Sequence, residues 1–370
     1  MKLFFVSLLI FVFPSCSFFI SKLIPLNDLP VPTGLYNIGT QIFYWTDNNR
    51  DEWFTENDLH DKRRLVVQMW YPTDSNQQDF MFYIPKPEFY LDPIAYQLGM
   101  PKFIFNHISS VRTNSIYHAR IHPEINNAPL IIFSHGLGGM RTQNTTQIEE
   151  LVSNGYIVIS IDHSYDANLT LFEDNTIANF RSGVSYLQMR IGEGNEITEQ
   201  DFWEYRLPQI KTRRLDVSFV IDKLEELKDD NDFFSRIDLD KIGFLGHSYG
   251  GTTGIYTSIF DRRIMACAIL DGWMVPITSE ILSKGLRIPM LYIGRDKWDS
   301  PLNNSNLDIL IKNSSNTTKI VLLDTKHFDY TDIPHFSSFS SLVGVSGSYE
   351  KNKLLDLINS SILSFFDYHL

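Results

Sequence analysis

The run Ile242-Gly243-Phe244-Leu245-Gly246-His247-Ser248-Tyr249-Gly250-Gly251 decides the fold. An apolar stretch ends at Leu245 and passes into Gly246-His247-Ser248-Tyr249-Gly250, a G-x-S-x-G pattern. That pattern needs a tight strand-to-helix turn, with a serine held in strained backbone and its hydroxyl exposed. Glycines two before and two after the serine remove side chains that would collide across the turn. The helix that follows points its first amides at an oxygen that becomes negative during acyl transfer. Five residues match by chance often enough that an ordinary glycine-rich turn is the competing reading. Here the required context is present: an apolar strand before, and Gly251-Thr252-Thr253-Gly254 with a helix-compatible run after.

A second loop supports the first. Pro129-Leu130-Ile131-Ile132-Phe133 reads as a buried strand, and Ser134-His135-Gly136-Leu137-Gly138-Gly139 follows it. In α/β-hydrolases the loop after an early strand gives one amide to the oxyanion hole, and the residue after the nucleophile gives the other. Leu137 and Tyr249 are therefore the expected donors, with Ser248 as nucleophile. The base has to follow in chain order, just past a late strand. His327 does so, after Lys319–Leu323, whereas His335 follows Pro334 with no strand leading into it. Two apolar runs end in candidate acids: Met265–Leu270 before Asp271, and Met290–Ile293 before Asp296 and Asp299. Both sites lie where parallel sheets place their chemistry. Asp271, between Leu270 and Trp273, is more sheltered than Asp296, between Arg295 and Lys297, and a triad acid works best buried. On this chemistry Asp271 leads and Asp296 stays open.

Further strands are expected at Ile42–Trp45 and Leu65–Trp70, antiparallel, and at Ile157–Ile161, separated from the later ones by helix-length segments. Strands alternating with helices give an α/β fold with a mostly parallel central sheet flanked by helices. Leu215–Leu227 is amphipathic and reads as the helix before the nucleophile strand, and Asn303–Thr318, rich in Asn and Ser, reads as a solvated loop around a short helix. Residues 166–210 form the expected cap insertion. Their Phe172, Phe180, Tyr186, Met189, Phe202, Trp203 and Tyr205 either line an acyl pocket or bury the insertion on the body. His118 and His122 have an i, i+4 spacing, but no acidic residue completes a metal set, and a solvated pair is the better reading. No motif calls for a cofactor or metal.

A formal charge of −12 argues against nucleic-acid binding and against docking on anionic lipid through a basic patch. Lys2 followed by uncharged residues to Ser21 reads as a secretory signal. Cys16 sits where a bacterial lipoprotein signal places its lipidated cysteine; plain cleavage near the same site and a retained anchor are the rivals. The chain thus divides into a signal over 1–16, a linker over 17–32 and a catalytic domain over 33–370, located outside the cytoplasm. Cys267, inside an apolar run, is a small core residue.

Phe133–Gly138, Gly246–Gly251, Leu270-Asp271-Gly272-Trp273-Met274-Val275-Pro276 and Thr325–Asp332 together resemble the platelet-activating factor acetylhydrolases of the plasma and isoform II type. Val67–Pro72 is similar to their early strand, and the likeness runs from about Pro32 to the C-terminus. The resemblance implies a calcium-independent serine lipase-esterase, places the acid on Asp271, and implies Leu137 and Tyr249 as oxyanion donors. Tyr249 stands where the animal enzymes carry phenylalanine, and the sequence between about 168 and 212 does not match theirs. The expected function is an exported serine esterase acting on short-chain acyl groups of phospholipids or lipid-like esters, with a membrane surface as partner if Cys16 is lipidated. A cutinase-like or polyester-cleaving hydrolase, or a non-catalytic surface binding protein, would share the fold.

Overall fold

The structure is a computed structural model, and it describes residues 26–370 except 56–57, 59, 100, 107, 192–195, 230, 338–339 and 343. The signal and Cys16 lie outside the described residues. The strands are β1 (Asn37–Asp51), β2 (Lys62–Thr73), β3 (Phe80–Phe82), β4 (Arg112–Tyr117), β5 (Ala128–Ser134) and β6 (Ile157–Asp162). After them come β7 (Leu169–Leu171), β8 (Ile177–Asn179), β9 (Ile237–His247), β10 (Ile264–Leu270), β11 (Met290–Arg295) and β12 (Thr317–Leu322). The helices are α1 (Pro87–Leu98), α2 (Thr145–Ser153), α3 (Val184–Ile191), α4 (Glu199–Lys228) and α5 (Asp232–Ser235). The remaining helices are α6 (Tyr249–Phe260), α7 (Ser279–Lys284), α8 (Pro301–Asn313), α9 (Ile333–Phe336) and α10 (Lys351–His369).

Among the described residues ten strands form one sheet, in the order β12-β11-β10-β9-β5-β6-β2-β1-β4-β3. From β12 to β6 every neighbouring pair is parallel, and β2 pairs antiparallel with both β6 and β1. The central strands are continuous apolar runs because helices cover both faces. Alternate residues divide between two cores, as the two-residue repeat of a strand requires. Leu130, Ile132, Phe244 and Ile269 pack with Val217, Val220 and Ile221 of α4. Ile131, Phe133, Leu245 and Leu270 pack with Ile148 of α2 and Ile358, Ile362 and Phe366 of α10. Cys267 is fully buried on β10, and burial pushes its thiol up to about 12.

Three expectations need correction. The expected solvated loop around a short helix at Asn303–Thr318 has its helix, α8, but α8 takes up most of the stretch and β12 begins at Thr317. Asn303 and Asn306 are buried there, and their amides bond the backbone of Gly272 and Met274. The expected helix at Leu215 begins at Glu199 and continues through Pro208, opened by a capping box between Thr198 and Asp201. The stretch ending at residue 32 is packed rather than free where it is described: Leu29 is buried, and the Asn27 amide donates to the Phe336 carbonyl.

Candidate active site

Ser248 sits between β9 and α6 at φ 56° and ψ −117°, a conformation that costs a serine about 1–3 kcal/mol. Its backbone is held there by the Ser248 amide donating to the Leu270 carbonyl and by the Trp273 amide donating to the Ser248 carbonyl. The turn has no room for larger residues. A Cβ on Gly250 would stand 1.8 Å from the Ser134 carbonyl oxygen, and one on Gly246 would stand 2.4 Å from Gly250 C. The elbow therefore closes only because both positions are glycine.

The structure brings three expected residues into one chain. Ser248 Oγ donates to His327 Nε2 at 2.9 Å, and His327 Nδ1 donates to Asp271 Oδ2 at 2.6 Å. Asp271 is fully buried at the end of β10. Its Oδ1 accepts from the Arg295 amide at 3.1 Å, and Arg295 Nε lies 3.1 Å from Oδ2. Among the described residues neither Asp296 nor Asp299 bonds to His327, and His335 is buried away from Ser248 with burial pulling it down to about 4. Leu137 and Ser248 line the same cavity, and a Cβ on Gly136 would stand 3.1 Å from Ser248 Cβ. Neither the Leu137 nor the Tyr249 amide has a protein acceptor among the described residues.

Sequence reasoning missed what surrounds His327. His247 accepts from Gln143 Nε2 at 2.8 Å through Nδ1 and donates through Nε2 to the His327 carbonyl at 3.1 Å. Burial, then the neighbouring His327, holds His247 well below the usual histidine value. The His247 ring lies 4.6 Å from that of His327, and the Trp298 ring 5.1 Å from it on an edge. His247 stood inside the motif, so its place was readable; nothing in the sequence marks Gln143.

A cavity of about 360 Å³ opens onto Ser248 and His327. Tyr83, Ile94, Phe105, Ile108, Phe328 and Phe336 are among its apolar lining. Among the described residues no Asp, Glu, Lys or Arg side chain lines it. Among the described residues of 166–210 only Asn168 reaches it, so of the two readings left open for the aromatics there, burial on the body is the one the structure shows. Phe172 instead packs on Val66 and Ala178, and Tyr205 on Trp53 and Tyr186.

A second Ser–His–Asp chain lies deeper. Ser134 Oγ donates to His163 Nε2 at 2.9 Å, and His163 Nδ1 donates to Asp216 Oδ2 at 2.9 Å, all three fully buried. Burial, then Arg213, lowers His163 to about 4. His118 is exposed, and His122 packs edge-on to Tyr36. Among the described residues no cluster of three or more His, Cys, Asp or Glu is placed to hold a metal ion, and no helix is long and apolar enough to cross a membrane.

The family model "Platelet-activating factor acetylhydrolase, isoform II" matches residues 27–370. The chain belongs to that family. It is 26% identical to the platelet-activating factor acetylhydrolase of Bos taurus over 93% of this chain and 78% of the bovine one. The Canis lupus familiaris protein of the same name is also 26% identical, over 93% and 78%. Among solved structures, the ferulic acid esterase from Streptomyces cinnamoneus is similar in fold, with a TM-score of 0.72 over 93% of each chain at 23% identity. As a member of the acetylhydrolase family the chain is an ester hydrolase on an α/β-hydrolase fold.

Proposed function

We propose that this acetylhydrolase relative cleaves carboxylic esters through an acyl-serine intermediate on Ser248. The hydrogen-bonded chain from Ser248 through His327 to the buried Asp271, open to an apolar cavity, carries this reading. His327 takes the Ser248 proton as Oγ bonds the ester carbon. The carbonyl oxygen becomes negative and receives the Leu137 and Tyr249 amides. The C–O bond to the alcohol then breaks, and His327 returns the proton to the leaving oxygen. Water repeats the sequence on the acyl-serine, releasing the acid. Asp271 holds His327 in the tautomer with Nδ1 protonated and stabilises its charged form.

The substrate in this reading is a lipid-like ester whose short acyl group enters the uncharged cavity. A charged headgroup finds no counter-ion in the lining and stays outside it. The protein is exported, with Cys16 as lipid attachment point, and the catalytic unit spans 33–370 together with the packed stretch from Leu26, with 166–210 as an insertion after β6. Leu26 is in the cavity wall, ten residues after Cys16. An anchor there would hold the cavity within about 35 Å of the lipid surface. Cys16→Ala should abolish acyl labelling and detergent-phase partitioning; wild-type protein that is soluble with a mature N-terminus beyond residue 16 would reject the anchor.

Ser248→Ala should abolish hydrolysis of p-nitrophenyl esters without lowering the melting temperature, and a fluorophosphonate probe should label wild type alone. Persistent labelling of the variant would reject the nucleophile.

A further inference from the structure

The two amides proposed as oxyanion donors come from different elements, Leu137 from the loop after β5 and Tyr249 from the first turn of α6. Their separation must be set by whatever ties loop to helix. Arg213, on α4 and 1% exposed, spans that gap. On the loop side its Nη2 donates to the His135 carbonyl, and to Ser134 Oγ at 2.9 Å. On the helix side its Nε donates to Thr253 Oγ1 at 2.8 Å, and Thr253 Oγ1 donates to the Tyr249 carbonyl at 3.0 Å. Its Nη1 donates to Asp166 Oδ2 at 2.9 Å.

Asp166 grips the same two elements again. Its carbonyl accepts from the Gly138 amide at 3.0 Å, so Leu137 is held on both flanks, through His135 and through Gly138. Its Oδ1 accepts from Gln209 Nε2 at 2.7 Å, and Gln209 Oε1 accepts from the Tyr249 hydroxyl at 3.2 Å. The guanidinium carbon also stands 5.0 Å from the Tyr249 ring centroid. Arg213, Asp166, Gln209 and Thr253 are all buried, and none but Arg213 could fork to three acceptors on separate segments.

We propose that the buried Arg213–Asp166 pair is the positioning device of the oxyanion hole, fixing the distance between the Leu137 and Tyr249 amides without touching substrate. This rests on the acyl-serine reading above. A plain fold-stabilising pair would change how much protein is folded; a positioning pair changes how well folded protein binds the tetrahedral state. A shift of about 1 Å in a catalytic group can cost about 10²-fold in rate.

The test uses the full chain. Arg213→Lys, whose ammonium cannot fork to the same acceptors, should lower kcat about 10²-fold with KM within about threefold of wild type. Affinity for a trifluoromethyl ketone, which forms a tetrahedral adduct with the serine, should fall by the same factor. The shape of the kcat/KM pH profile should not change, because Asp271 and His327 are untouched. Arg213→Met combined with Asp166→Leu removes both charges and so avoids a lone buried ion, and it should show the same split. Thr253→Val, which keeps the pair and cuts one tether, should give a smaller kcat loss and decides the matter if neither pair variant folds. A folded variant with kcat within threefold of wild type, or a loss carried in KM, would overturn the proposal. Activity surviving in Ser248→Ala would instead reject the acyl-serine reading on which it stands.

Discussion

At the scale of single residues, the acid is where sequence and structure bear on each other most closely. Asp271 and Asp296 both follow apolar strands, and nothing in spacing separates them. Only the register of β10 against β9 and β11 places one beside His327. Asp271→Asn should lower kcat by about 10⁴, because an amide permits the wrong imidazole tautomer. Asp296→Asn should change kcat less than threefold in the same assay, and the opposite ranking would move the acid to the end of β11. The contacts of His247 with Gln143 and the His327 backbone were illegible for a physical reason. They depend on where a loop after β12 returns, which no local pattern encodes.

The elements were legible to the extent that their pattern was local and apolar. β5, β6, β9 and β10 announce themselves because both faces are buried, and the G-x-S-x-G turn follows from the glycines its geometry demands. Gly250→Ala should make that demand visible: its Cβ would overlap the Ser134 carbonyl at 1.8 Å. The helix would have to move off β5, with a loss of about 1–3 kcal/mol in urea unfolding and near-complete loss of hydrolysis. An unchanged unfolding midpoint would contradict the close approach. The helix α8, expected to be short and solvated, shows the limit of composition. Its asparagines look solvated, yet two of them spend their amides on the backbone after β10, where a buried polar group with partners costs little. The aromatics at 166–210 were visible, but the choice between lining a pocket and packing on the body was not, because their contacts with Trp53 and Val66 are tertiary.

The whole molecule titrates through groups far from Ser248. Glu149, fully buried on α2, accepts from Asn114 and Ser115, and burial still raises it from an ordinary 4.5 to about 7. A carboxyl raised on folding stabilises the fold fully below its unfolded value, and that stability is lost as pH rises through the folded one. Glu149→Gln removes the dependence. The stability difference between variant and wild type should therefore shift in the variant's favour from pH 4 to pH 8, by about 3 kcal/mol at most. A pH-independent difference in urea unfolding would refute it. The interior also holds its own control experiment. Ser134, His163 and Asp216 repeat the side chains and hydrogen-bond order of the Ser248–His327–Asp271 chain, with Arg213 donating into the serine oxygen. A geometric template scanned over this fold would return two hits, while a reactive probe should mark one. What separates the two chains here is access, since of their residues only Ser248 and His327 open onto the cavity, so three side chains in the right order do not by themselves make a reactive site.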